Sequence, residues 1–144
     1  FFGSIQIFQY IVLNNGDFTN DLWLCAIHGK NAEIIHHLES LHIEPKDKTY
    51  NECLKESIKC HHNEIVEYIQ NNLINENNST NDDVIKWGIQ FFNYKFIPKI
   101  IVNSYSFFYF SLYNYDTIVN LYINQKMNEI EKKIIFKNYL LILN

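Results

Sequence analysis

Residues 23–38 read WLCAIHGKNAEIIHHL and residues 54–69 read LKESIKCHHNEIVEYI. Set 31 positions apart, Trp23 meets Leu54, Ala26 meets Ser57, Ile27 meets Ile58 and Glu33 meets Glu64. Ile34 then meets Ile65, Ile35 meets Val66 and Leu38 meets Ile69. A third copy, IKWGIQFFNYKFIPKI at 85–100, puts Ile85, Gly88, Ile89, Phe96, Ile97 and Ile100 on the same places. A fixed internal period constrains a chain more than any single motif does. Each unit is too small to cover its own apolar face, so units must stack.

Each copy splits into two short apolar-periodic segments, at 22–29, 53–60 and 84–91, then at 32–39, 63–70 and 94–101. Apolar residues at i, i+1 and i+4 give the second segment one buried helical stripe. The segments meet at GKN, HHN and FNY, and the first copies are joined by the polar stretches SLHIEPKDKTYN and NNLINENNSTND. Small residues recur at Ala26, Ser57 and Gly88, as expected where stacked helices come close. The pattern predicts an all-α helix-turn-helix repeat solenoid. Residues 1–144 form one array: a partial repeat at 1–20, repeats at about 21–51, 52–82, 83–104 and 105–125, and a C-terminal helix or partial repeat at 126–144. The first residues read as the middle of something, so a fragment of a longer chain is expected.

These units resemble the ankyrin repeat, whose unit of about 33 residues is a turn, two antiparallel helices and a projecting loop. The family's helix pair, LHxAAxxGHxEIVxxLL, is followed most closely by AEII and NEIV. IFQYIVLNNGD at 7–17 is similar to the second helix of an earlier repeat, and YFSLYNYDTIVNLYI at 109–123 to a fourth helix pair. The chain looks most like the divergent ankyrin arrays abundant in AT-rich protists. It departs from the family in lacking the TPLH start. Lys30, His61 and Phe92 replace the glycine of the inter-helix turn. The spacing to the fourth copy shrinks to 22, from Lys95 to Thr117, and Pro98 falls inside the third second helix, where it kinks the turn.

Cys60, His61 and His62 stand side by side, with Cys53 upstream. Consecutive helical side chains point about 100° apart, whereas zinc sites use spaced pairs such as C-x2-C or H-x3-H. The three therefore read as a structural turn, and no metal is expected. The resemblance implies a structural hydrogen-bonding role for His62, at the family's turn histidine. Catalysis by Cys60 requires a base within reach and an orienter, and mere adjacency to His61 supplies neither. Glu64 and Glu67 read as a solvated helix face, and the four glycines form no phosphate loop. No enzyme and no cofactor are expected.

The net charge is −4, and all twelve basic residues are lysine. That argues against a general nucleic-acid grip, which requires a basic face. The longest uncharged stretch, between Lys99 and Asp116, has 16 residues and falls short of the roughly 20 apolar residues of a membrane span. Three cysteines fit no secreted framework, so reduced thiols in an intracellular, cytoplasmic protein are expected. The overlapping sequons at Asn77 and Asn78 matter only in a secreted chain.

The resemblance implies a monomeric array that binds a protein partner through first helices and loop tips. The residues expected to carry specificity are His28, Lys59 and Gln90 on first helices, and Asp17, Thr19, Glu44, Lys46, Asp47 and Tyr50 on loops. Tyr50 is expected as an aromatic anchor in a polar rim. The second-helix face, with His36, Glu67 and Lys99, is expected to be solvated. Two alternatives stand beside this reading. One is a structural spacer or scaffold in a larger protein; the other, weaker, is a metal or redox module at Cys53, Cys60, His61 and His62.

Overall fold

The computed structural model describes residues 4–14, 21–74, 81–97 and 104–126. The chain is all-helical over these residues, with eight helices and no strand among them. In order they are α1 (Ile5–Leu13), α2 (Leu22–His28), α3 (Ala32–Ser40), α4 (Asn51–Lys59), α5 (Asn63–Asn72), α6 (Asn81–Gln90), α7 (Ser104–Leu112) and α8 (Asp116–Lys126).

One turn recurs between helices. Lys30, His61, Phe92 and Asn114 all have positive φ, at 49°, 58°, 56° and 60°. After α2, the Lys30 N–H donates to the Ile27 carbonyl at 2.9 Å and the Asn31 N–H to the Ala26 carbonyl at 3.1 Å. The same pair of bonds follows α4 (His61 to Ile58, His62 to Ser57), α6 (Phe92 to Ile89, Asn93 to Gly88) and α7 (Asn114 to Ser111, Tyr115 to Phe110). This is the Schellman closure, in which a left-handed residue lets two N–H groups satisfy carbonyls that the helix leaves over. The side chains that occupy the left-handed place are all unbranched at Cβ. The family resemblance puts glycine at the first three; here the strain of an L-residue, about 1–2 kcal/mol each, is carried at all four, and again at His42 (φ 54°), where the same pair of bonds closes α3.

Packing follows the period. α2 packs on α4, α4 on α6 and α6 on α7, so first helices form a continuous row. α3, α5 and α8 pack back on α2, α4 and α7 respectively, and α1 lies against α3. The row buries Trp23, Ile27, Leu54, Ile58, Ile89 and Phe110 almost completely, and the second helices add Leu38, Val66 and Ile69. The Trp23 indole N–H donates to the Ile43 carbonyl at 2.6 Å, so burying the ring strands no donor.

Two sequence expectations change. Residues 94–97 form turns and bends rather than a helix, and the rest of the expected third second helix, 98–101, lies outside the described residues. A residue before proline is pushed away from helical backbone, so Ile97 ends what the apolar pattern invites. The small residue at Gly88 also has a different reason. A Cβ there would meet Phe96 Cβ at 2.9 Å and the Phe96 carbonyl carbon and oxygen at 3.1 Å. The close approach is to the returning chain of its own unit, not to the next repeat. Ala26 and Ser57 are fully buried, and the Ser57 hydroxyl is satisfied by donating to the Cys53 carbonyl at 2.7 Å.

Candidate functional site

His28, Lys59 and Gln90 are the last residues of α2, α4 and α6. They share one register position in three successive units. His28 and Lys59 are exposed, and Gln90 is half-buried. Stacking at a 31-residue offset brings His28 beside the last turn of α4. There His28 Nε2 lies 2.9 Å from Glu56 Oε1, and Lys59 Nζ lies 3.0 Å from the same oxygen. The His28–Glu56 contact is an ion pair only when the imidazole is protonated. Cys60 Sγ is 3.5 Å from His28 Nδ1 and 3.8 Å from Glu56 Oε1. Burial first, and then the Glu56 charge, pushes the Cys60 thiol upward. Glu56 was not among the expected site residues. The signal was present: adding the period to His28 lands on Lys59, and Glu56 lies one helical turn before it.

The loop residues divide. Glu44 and Lys46 are exposed, as a projecting contact surface requires. Asp47 instead caps α4: its Oδ2 accepts from the Glu52 N–H at 3.0 Å and from the Thr49 hydroxyl at 2.9 Å. A carboxylate at a helix start satisfies donors that have no intrahelical partner. Tyr50 is not a projecting anchor. It is half-buried, its ring set edge-on against Trp23 with centroids 5.1 Å apart. Asp17 and Thr19 lie outside the described residues.

The alternative set of Cys53, Cys60, His61 and His62 is not brought together. Cys53 is wholly buried, and burial raises its pKa to about 12, leaving a neutral thiol rather than a nucleophile or ligand. His61 Nε2 lies 3.0 Å from the Phe91 carbonyl of the following unit, while Cys60 turns toward His28 of the preceding one. His62 is half-buried and begins α5 without a side-chain capping bond. The side chains that converge across units, His28, Glu56 and Cys60, come from different positions.

Units are also joined by polar contacts that sequence reading missed. The buried Asn93 amide donates to the Ile58 carbonyl at 3.0 Å and to Asn63 Oδ1 at 2.9 Å. Tyr115, at the equivalent turn position of the next unit, donates its hydroxyl to the Ile89 carbonyl at 3.0 Å. Ile58 and Ile89 are themselves one period apart, so the same reach-back occurs twice. The second-helix face is solvated at His36 and Glu67, as expected, and its side chains also tie neighbouring units together. The Tyr68 hydroxyl donates to Glu39 Oε2 at 2.6 Å, His36 packs edge-on to the Tyr68 ring, and Lys95 pairs with Glu67. A shallow groove of about 220 Å³ lies here between α3 and α5, lined in part by Ile35, His36, Glu64 and Tyr68. Lys99 lies outside the described residues.

In comparisons with protein-family models, curated proteins and solved structures, none matched this chain. Among the described residues, no helix is long and apolar enough to cross a membrane.

Proposed function

We propose that the chain is a non-enzymatic protein-interaction module of ankyrin type, binding a protein partner through first-helix ends and loop tips. The observation that carries this reading is the row His28, Lys59 and Gln90. These residues hold one position in three stacked units and offer an imidazole, an ammonium and a carboxamide. Uniform position with differing chemistry is how a repeat surface encodes one partner. The four left-handed turns at equivalent places support the ankyrin reading of the units. A monomeric array in an intracellular, cytoplasmic setting goes with it, in keeping with free thiols at Cys25, Cys53 and Cys60.

The ties Tyr68–Glu39 and Lys95–Glu67 favour a second reading, a stiff structural spacer. A photo-crosslinking side chain placed in turn at Lys46, Lys59 and Glu64 separates the two. A discrete protein adduct from Lys46 and Lys59, and none from Glu64, is expected of the interaction module. Adducts from Glu64 alone would move the binding surface to the second helices. No adduct from any position would favour the spacer.

A further inference from the structure

The side chains of His28, Glu56 and Cys60 meet at the contact between α2 and α4, each offering one ligand atom, with all three atoms within 4.8 Å of one another. Among the described residues no other three His, Cys, Asp or Glu side chains converge in this way. The geometry points to a metal site: a thiophilic divalent cation of the zinc class, held by the Cys60 thiolate, a His28 ring nitrogen and the Glu56 carboxylate. The inference rests on the α2–α4 packing; it shares His28 with the interaction reading, and zinc uptake by the chain alone tests it without any partner.

Three observations carry it. The first is distance. Bond lengths of about 2.0 Å to nitrogen and oxygen and about 2.3 Å to sulfur imply tetrahedral ligand separations of about 3.3–3.5 Å. Cys60 Sγ and Glu56 Oε1 are 3.8 Å apart; His28 turns Nε2 to Glu56 Oε1 at 2.9 Å and Nδ1 to Cys60 Sγ at 3.5 Å, and with a single ring nitrogen taken as the ligand all three separations stay within 4.8 Å. Side-chain shifts of well under a helical turn complete the set. The second is spacing. Glu56, in the last turn of α4, and Cys60, its C-cap with helical backbone, are four apart, the i, i+4 arrangement that lets two side chains hold one ion. His28 arrives from the neighbouring unit. The third is the contrast with the next interface. One period on, Lys59, Trp87 and Phe91 occupy the places of His28, Glu56 and Cys60, so stacking alone does not produce the cluster.

A sulfur, nitrogen and oxygen donor set selects zinc or cobalt over magnesium or calcium. Three protein ligands leave one position for water. On binding, the Cys60 thiol proton passes to solvent as the metal–sulfur bond forms. Lys59, which pairs with Glu56 at 3.0 Å and is exposed, swings away, since a dication replaces its single charge.

The test uses the whole chain. Zinc titration followed by calorimetry is expected to show one saturable site per chain. Cobalt is expected to give a thiolate-to-metal charge-transfer band with tetrahedral visible absorption. Cys60→Ser should abolish that band, and Cys60→Ser and His28→Gln should each weaken zinc binding by about 100-fold or more, at or beyond what loss of an outer-shell partner costs. His28 is exposed, so its variant keeps the fold; circular dichroism checks both. Cys25→Ser and His61→Ala should leave the band and the affinity unchanged. Absence of saturable zinc uptake by the folded wild-type chain overturns the site. So does uptake that survives Cys60→Ser, or that is lost in Cys25→Ser or His61→Ala.

Discussion

Tyr68 joins α3 and α5 through its bond to Glu39, and that bond exists only while the phenol keeps its proton. The hydrogen bond, with burial and the Glu39 charge adding to it, raises the Tyr68 pKa from 10.0 to about 12. A raised folded-state value means the bond contributes fully below pH 10.0 and is lost as pH climbs toward about 12. Tyr68→Phe is therefore expected to be less stable than wild type at neutral pH, with the gap closing through that alkaline window. Denaturant unfolding of both proteins across the pH range measures it; a gap that stays constant would show that Tyr68 acts through packing alone. Sequence reading placed His36 on this face as a solvated residue, and it is exposed; its contact with the Tyr68 ring was not legible, because a tyrosine 32 positions later carries no local signal of contact. Tyr50 departs from its expectation. Its loop composition suggested exposure, but its ring packs edge-on with Trp23, and burial raises the Tyr50 hydroxyl.

Two opposing effects meet in α6 at Gly88. Replacing a helix-interior glycine with alanine stabilises a helix by roughly 0.5–1 kcal/mol, whereas overpacking a closed contact costs about 1–3 kcal/mol. Here the obstacle includes the Phe96 backbone at 3.1 Å, which cannot swing aside like a flexible side-chain end. Gly88→Ala is therefore expected to destabilise by about 1–2 kcal/mol net, read from the midpoint of chemical unfolding. A rise in stability would mean that the 94–97 segment yields freely. The small-residue position was legible from the period, but its cause was not. Periodicity compares like positions between units, whereas Phe96 approaches within one unit, where a turn replaces the expected helix. The turns themselves were legible to the residue, since Lys30, His61 and Phe92 each stand where the family pattern puts glycine. The His28–Glu56–Cys60 convergence was not, because sequence reading looked for ligands adjacent along the chain rather than one period apart.

The whole molecule divides at α6. One core runs from Phe8 to Trp87, dense with fully buried side chains such as Trp23, Leu54, Ile58 and Ile69. The other holds Ile89, Phe107 and Phe110, closed by half-buried residues that include Tyr113, Tyr115 and Ile118. In a stacked array each unit is held by its own packing and by its neighbours, so local opening free energies should follow this division. α4 touches α2, α5 and α6, and its amides are expected to exchange slowest, those of α8 fastest. Asn93 spans the contact between α4 and the turn after α6 with two buried hydrogen bonds. Asn93→Ala leaves the Ile58 carbonyl and the Asn63 side chain short of a donor, at a cost of about 1–3 kcal/mol. Because that loss falls on one interface, amides of α6 and α7 should lose about tenfold or more in protection, while α2 and α3 keep theirs. Amide exchange of both proteins, resolved by peptide, decides the matter. If protection falls evenly from α2 to α8, the chain unfolds as one cooperative body, and the nearest-neighbour account of its stability fails.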